Sequence, residues 1–308
     1  MTTPAAGAQV ASPPIAAAPP AGAGRWLGVR SFLRRRTAVL GAALVALNLV
    51  VAIAAPLLAP RNPEMLNVGA RLHPPDATHW LGTDHVGRDV WSRVIYGARL
   101  SMLVGGLVVA VAVVAGLAFG VLGGYYRRLD DVLMRVMDGL MAFPGIILAI
   151  ALMASLGPSV VNVVVALGIV YVPRVARIVR GSVLVVRETP FVEAARALGI
   201  PDHRIMARHV LPNCLSPVIV QATFIFAAAV LGEAALSFLG VGVPPQIPSW
   251  GNVLAEGRLY LQQAPWLTLA PGAAIMGCIL ALNLFGDGLR DLLDPKLRGV
   301  QGAGREAS

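Results

Sequence analysis

The sequence has 308 residues, of which 56% are hydrophobic and only 13% are charged. Uncharged apolar runs recur at lengths that match a bilayer, and this composition excludes an ordinary water-soluble domain. The net charge is +9, but the basic residues lie between the apolar runs and form no patch with interleaved aromatics, which argues against nucleic-acid binding. The single lysine, Lys296, follows a proline, so the chain has no Gly-Lys-Ser/Thr phosphate-binding loop and is not itself a P-loop ATPase.

The amino-terminal region, residues 1–37, reads as a cytoplasmic tail. Its first part is rich in Ala and Pro and lacks charge, a composition that predicts disorder because too little apolar surface can be buried. A cluster of arginines then precedes the uncharged run 38–58. That run is long enough to cross a bilayer and is predicted to be the first transmembrane anchor. Residues 59–99 are predicted to be extracytoplasmic.

Residues 100–286 are predicted to contain five further transmembrane helices, so six crossings are expected in all. The helix over 100–124 carries Gly116, Gly120 and Gly124 at four-residue spacing, which predicts close approach of another helix. The run 139–173 is too long for one crossing, and Gly157-Pro158 divides it into two helices. The last two crossings are predicted near 215–239 and 266–286, and residues 287–308 form a second tail. Cys214 and Cys278 show no CxxC spacing and are interpreted as apolar packing residues.

The charge distribution predicts the orientation. Segments on one side of the predicted spans carry 19 of the Lys and Arg residues and segments on the other side carry 6. By the positive-inside rule both termini are cytoplasmic. The segment 174–213 then becomes a large basic cytoplasmic loop, far longer than a simple connection between helices needs.

The sequence of this loop predicts two short helices joined by a glycine turn. Thr189-Pro190 is a typical helix start, and Gly199 is a typical stop with positive φ. A second helix opens at Pro201 and is expected to end at Leu211-Pro212. Four apolar residues of the first helix have the spacing that places them on one face, and they form a small apolar ridge exposed to the cytoplasm. Its members are Phe191, Ala194, Ala195 and Leu198.

At these residues the chain resembles a known family. Glu193, Ala194, Ala195, Leu198, Gly199, Leu211 and Pro212 are similar to the E-A-A…G…L-P motif of permease subunits of bacterial ABC importers. Segments such as Leu81–Asp84, Gly87–Asp89 and Pro248–Asn252 resemble the C-type permease of dipeptide and oligopeptide importers, and the likeness covers about residues 30–298. One departure is His209, where the general motif has Ile.

The resemblance implies the fold class and the partners. The expected fold is an all-α membrane protein of six transmembrane helices with a cytoplasmic coupling-helix loop, and the expected location is the bacterial cytoplasmic (inner) membrane. The loop 189–213 would seat in separate ATPase subunits, which bind the ATP, so this chain is expected to be no enzyme and to hold no cofactor or metal. The expected partners are a second permease in a heterodimer, two ATPase subunits, an extracytoplasmic substrate-binding protein and lipid, without nucleic acid. Dipeptides or oligopeptides are the first expected cargo, with nickel complexes and other small solutes left open.

Three further features leave alternatives open. Glu233 is the one ionisable residue inside a predicted span and should face the bundle interior, in a gating or structural role or in contact with substrate. A cluster of loop residues suggests a metal site, although their spacing does not favour it. These residues are His73, Asp76, His79, Asp84 and His85.

The alternative function is an ion-coupled carrier that acts alone. Such a carrier would normally show more charged residues in its spans. The helix entering the second span places Trp91 and Tyr96 at the membrane surface, for anchoring or for docking of the binding protein.

Overall fold

A computed structural model describes residues 35–293, and within this range the chain is helical with no β-strand. The predicted disordered tail and the end of the second tail lie outside the described residues. The helices are α1 Arg36–Ile53, α2 Ala55–Leu58, α3 Val90–Tyr125, α4 Arg127–Met141, α5 Gly145–Leu156, α6 Val160–Val186, α7 Pro190–Ala197, α8 Asp202–Ile205, α9 Leu211–Phe238, α10 Trp250–Gly257 and α11 Trp266–Leu293. A π-helical turn, Met206–Val210, joins α8 to α9, and short 3₁₀ turns occur at Val68–Ala70 and Arg258–Tyr260.

Five of the helical segments are long and apolar enough to cross a membrane: α1, α3, α6, α11 and the continuous segment Asp202–Phe238. The helices α4 and α5 meet at an angle of 91° and supply a sixth crossing when they are counted as one broken span. The predicted count of six is reached when this bent pair is counted as one span, and is five without it. Because α5 has 12 residues, its length of about 18 Å is shorter than the hydrocarbon core. The predicted turn at Gly157-Pro158 is present, and Gly157 has φ +81°.

The two ends of the bundle are defined by contacts between helix termini. At the end that we call the lower end, Arg35 pairs with Asp291, and the end of α3 contacts the connection between α6 and α8. At the opposite, upper end, Trp91 Nε1 donates to the Leu58 carbonyl at 3.2 Å. The indole N–H of Trp266, at the start of α11, donates to the Thr83 carbonyl there. The segment 59–89 therefore lies at the upper end, and so does α10, whose Trp250 Nε1 donates to the Val94 carbonyl of α3 at 2.9 Å.

The glycine stripe of α3 packs against α6 as its spacing predicts. A Cβ atom added at Gly120 would lie 2.6 Å from both the Ala176 carbonyl oxygen and the Val179 Cβ, and one added at Gly124 would lie 2.7 Å from the Val183 Cβ. No larger residue fits without movement of the helices, so the stripe sets their separation. Cys214 and Cys278 are buried among apolar side chains and are not disulfide-bonded, as expected.

Two helix boundaries differ from the predicted ones, and a third agrees. The predicted helix that enters the second span is part of α3, which begins at Val90, where the Asp89 side chain accepts from the Ser92 N–H at 2.8 Å and caps it. Helix α6 continues to Val186, so the first part of the predicted 174–213 loop is helical. The predicted end at Leu211-Pro212 is wrong. Pro212 lacks an N–H, and the preceding π turn, in which the Leu211 N–H bonds to the Met206 carbonyl, carries the helix past it into α9.

Candidate functional site

The connection between α6 and α9 forms the predicted pair of helices with a glycine turn. Helix α7 begins at Pro190 after Thr189 in extended conformation, with φ −83° and ψ 146°. The Thr189 hydroxyl donates back to the Val186 carbonyl at 2.5 Å, so the residue joins α6 to α7. Gly199 has φ +72°, a backbone conformation that non-glycine residues rarely adopt. The following residues then turn into α8.

The two faces of α7 have different environments. Val192 and Ala195 are buried, in a cluster that includes Ile205 of α8. Phe191 is 46% exposed and Leu198 is 80% exposed. The predicted ridge therefore keeps three of its members at the surface and loses one: Phe191, Ala194 and Leu198 are exposed, and Ala195 faces inward. Helical spacing alone could not decide this, because Ala195 lies at the edge of both faces.

The remaining motif residues surround this ridge. Glu193 is exposed on α7, whereas Leu211 and Pro212 lie at the beginning of α9. His209 sits with its ring 6.0 Å from that of Phe191. The exposed surface of the loop is thus apolar with polar residues beside it, and its second helix is continuous with a membrane-crossing helix.

Sequence reasoning missed the contact between this loop and α3. The Tyr125 hydroxyl donates to Asp202 Oδ1 at 2.5 Å, and the guanidinium carbon of Arg196 lies 5.3 Å from the centre of the tyrosine ring. The pKa of Arg196 is raised, first by its hydrogen bond to Tyr125. The paired positions are about 70 residues apart or more in the chain, and no local signal in the sequence links them.

Glu233 lies in the interior of the bundle, as predicted. Its carboxylate is fully buried, and it accepts hydrogen bonds of 2.9 Å from the hydroxyls of Ser101 on α3 and Ser237 on α9. A charged or polar group at this depth requires such partners. The Ser237 hydroxyl also accepts from the Val243 N–H at 3.2 Å, which connects this cluster to the segment after α9.

A buried ionic cluster lies at the upper end. Arg93 of α3 is 1% exposed and donates to Asp84 at 2.7 Å and to Glu256 of α10. Arg88 donates to the same two carboxylates at 2.6 and 2.7 Å. Burial alone would raise the pKa of Asp84, but the Arg93 charge, the Arg88 backbone N–H and the Arg88 charge together lower it. Sequence reasoning missed the pairing of Arg93 with Glu256 because the two residues are 163 positions apart in the chain.

The residues considered for a metal site do not come together as one group. His79 Nδ1 lies 3.0 Å from Asp89, and Asp76 accepts from the Thr78 side chain and from nearby backbone amides. Asp84 and His85 do approach Glu256 closely enough to share an ion by distance. Two arginines already occupy the carboxylates of Asp84 and Glu256, and their positive charges disfavour a cation. The geometry therefore supports an ion-pair cluster here.

Tryptophans mark the upper end. Trp80 is largely exposed and meets Trp91 edge to face with ring centres 5.4 Å apart. Trp91 hydrogen-bonds to the end of α2. These rings fit a position at the membrane surface.

The described residues define a multi-pass, all-helical membrane protein. A family model described as "Binding-protein-dependent transport system inner membrane component" matches residues 112–299, and one described as "N-terminal TM domain of oligopeptide transport permease C" matches residues 25–75. A putative peptide transport system permease protein of Brucella suis is 49% identical over 272 residues, which is 88% of this chain and 92% of that protein. A dipeptide transport system permease protein of Alkalihalophilus pseudofirmus is 46% identical, over 87% of this chain and 89% of that protein.

Other matches are more distant. A glutathione transport system permease protein of Pectobacterium atrosepticum is 42% identical, over 87% of this chain and 90% of that protein. The crystal structure of an amino acid ABC transporter with histidines has a TM-score of 0.48 and 18% identity, and covers 67% of this chain and 94% of that chain. By the family match and the first relatives, the chain belongs to the binding-protein-dependent transport system inner membrane components, the permease subunits of ABC transporters. The family implies ATPase and binding-protein components as partners.

Proposed function

We propose that this chain is the C-type permease subunit of an importer that carries dipeptides or oligopeptides across the cytoplasmic membrane. The names of its relatives support this cargo, because two of them are a putative peptide transport permease and a dipeptide transport permease. The match of residues 25–75 to the amino-terminal domain of oligopeptide permease C supports the C-type assignment.

The lower end of the bundle is proposed to face the cytoplasm, together with both termini. The excess of arginine on that side supports this orientation by the positive-inside rule. The first described residue, Arg35, pairs with Asp291 near the end of α11, so both ends of the described range lie at the same end of the bundle as α7. The ionic cluster and the exposed tryptophan then face the exterior, where a binding protein would dock.

The working complex is proposed to hold this chain, a second permease as its heterodimer partner, two ATPase subunits and an extracytoplasmic binding protein. ATP is bound and hydrolysed by the ATPase subunits, and this chain needs no cofactor of its own. The observation that carries the proposal is the exposed apolar ridge of Phe191, Ala194 and Leu198 beside the Gly199 turn. Such a surface can bind in a groove on another protein. Because α8 is continuous with the membrane-crossing helix α9, a movement of the loop would be transmitted directly to that helix.

The composition of the native complex tests this proposal. The tagged chain would be purified from native membranes in mild detergent, and the co-purifying chains identified by mass spectrometry. Two ATPases, a second permease and a peptide-type binding protein are the expected result. Recovery of the chain alone, or only with itself, would contradict the importer and favour a carrier that acts by itself.

The glycine turn supplies a test of coupling. Gly199→Val places a β-branched residue at φ +72°, which costs about 1–2 kcal/mol or more, so ATP hydrolysis should lose its link to uptake while membrane insertion persists. Gly181→Val is the matched control, because Gly181 lies on an exposed side of α6 with no neighbouring atom within 4 Å of an added Cβ. Normal uptake with Gly199→Val would contradict the role of this loop.

Glu233 is proposed to hold α3 and α9 together at the upper half of the bundle, in a structural or gating role. Its two serine contacts support this over direct contact with substrate. Glu233→Leu leaves two buried hydroxyls without their acceptor, which costs about 1–3 kcal/mol each, whereas Glu233→Gln keeps one acceptor oxygen. We therefore expect Glu233→Leu to lower the thermal stability much more than Glu233→Gln. A Gln variant of unchanged stability whose KM for substrate alone rises would instead indicate substrate contact.

A further inference from the structure

Tyr125, the last residue of α3, touches both helices of the α7–Gly199–α8 unit. Its hydroxyl donates to Asp202, the first residue of α8, and its ring lies under Arg196 near the end of α7. The two partners stand three residues before and three residues after Gly199. One buried side chain of a membrane-crossing helix thus contacts both sides of the turn.

A second contact fixes the same end of α3. The Arg187 guanidinium donates to the Gly124 carbonyl at 2.8 Å. Carbonyls in the last turn of a helix lack helical partners. This bond therefore gives the Gly124 carbonyl a hydrogen-bond donor, from the residue that directly follows α6. The backbone of α3 is in direct contact with α6 at Gly124. A movement of the loop is therefore expected to move the end of α3 with it.

Helix α3 also connects this end to the opposite face of the bundle. It is continuous over 36 residues, which corresponds to about 54 Å. Near its other terminus Arg93 is buried between Asp84 and Glu256. Polar contacts therefore fix α3 at both ends, to the loop below and to α10 above.

We infer that Tyr125 is the positioning residue through which movement of the α7–Gly199–α8 unit reaches α3. The hydroxyl bond to Asp202 holds α8 to α3, and the ring beneath Arg196 holds α7 to it, so the two short helices displace α3 as one body. This inference rests on the proposed coupling to ATPase subunits. It adds a residue outside the loop whose loss separates hydrolysis from uptake.

The test uses the full complex in proteoliposomes with its binding protein and a dipeptide. Substrate uptake and ATP hydrolysis are measured on the same preparation for Tyr125→Phe, for Asp202→Ala and for the double variant. Tyr125→Phe keeps the ring beside Arg196 and removes the hydroxyl, with its bonds to Asp202 and Arg196. Tyr126→Phe is the matched neighbouring control. A hydrogen bond to a charged group contributes about tenfold or more to an equilibrium. The ratio of uptake to hydrolysis should accordingly fall by about tenfold or more in Tyr125→Phe and stay unchanged in Tyr126→Phe.

The double variant separates a shared contact from two independent effects. If the bond carries the coupling, Tyr125→Phe has no further effect in the Asp202→Ala background. An unchanged ratio in Tyr125→Phe, an equal fall of uptake and hydrolysis, or additive effects in the double variant would each overturn the inference. If Gly199→Val uncouples the complex and Tyr125→Phe does not, the loop assignment stands and only the role of Tyr125 fails. If the native complex contains no ATPase, the proposed function fails first.

Discussion

The glycine stripe of α3 allows a prediction whose magnitude follows from the geometry. Gly120→Ala would put a Cβ atom 2.6 Å from the Val179 Cβ and from the Ala176 carbonyl oxygen. Nonbonded carbon atoms normally approach to about 3.5–4.0 Å, so α3 and α6 must separate by about 1 Å. Both neighbours are β-carbon or backbone atoms with no rotamer that relieves the contact. Overpacking of this kind costs about 1–3 kcal/mol.

The same helix provides the matched control. Gly106 is exposed, and a Cβ added there has no neighbour within 4 Å. Both substitutions replace a helical glycine by alanine, which favours the helix by about 0.8–1 kcal/mol at either site. The helix propensity therefore cancels between the two variants. The difference in unfolding free energy between Gly106→Ala and Gly120→Ala reports the overpacking alone, about 1–3 kcal/mol.

The assay is unfolding of the purified chain in mixed micelles titrated with sodium dodecyl sulfate, followed by the change in tryptophan fluorescence. Gly106→Ala should unfold at the same or a higher fraction of the denaturing detergent than the native chain, and Gly120→Ala at a lower one. Equal midpoints for the two variants would refute the reasoning that the glycine stripe sets the distance between α3 and α6.

Two predictions concern the ionic cluster at the upper end. Arg93→Met removes one of the two arginines that Asp84 and Glu256 share and should cost up to about 3–5 kcal/mol, seen as a drop in melting temperature. Arg135→Met at an exposed position of α4 should change the melting temperature little, and similar drops in both variants would contradict the importance of the cluster. Asp84 has a folded-state pKa below its ordinary value of 3.8, so its contribution to stability is complete above that pH and is lost as the pH falls through the folded pKa. The difference in melting temperature between the native chain and Asp84→Asn should accordingly be constant near neutral pH and shrink below pH 3.8, and a difference that shrinks already between pH 7 and 5 would contradict this assignment.

Local signals in the sequence predicted much of the fold. The turn at Gly157, the start of α7 at Thr189-Pro190 and the positive φ of Gly199 each depend on a residue whose backbone preferences are strong. The glycine stripe at Gly120 and its neighbours was likewise visible in the spacing. Each of these features is encoded within a few residues and needs no knowledge of the partner helix.

The missed features depend on residues far apart in the chain. The pairing of Tyr125 with Asp202 and of Arg93 with Glu256 requires the bundle to be assembled first. The passage of the helix through Pro212 was missed for another reason, since a π turn shifts the hydrogen bonds before the proline and removes the expected stop. Tertiary packing decides whether such a turn is kept.

The distribution of contacts along α3 follows the polarity of its surroundings. Its charged and strongly polar contacts lie at its two ends, with Arg93 in the ion-pair cluster and Tyr125 at the loop, whereas its middle meets α6 through glycine and aliphatic carbon. Ion pairs in hydrocarbon are costly, and packing of small residues provides specificity there without that cost. Between Arg93 and the glycine stripe, Ser101 of α3 donates to Glu233, and hydroxyl groups contact this carboxylate in place of a countercharge. Directional polar contacts therefore fix α3 at each end, and close packing of its glycines against α6 fixes its middle. This arrangement allows α3 and α6 to move together while their packing is kept.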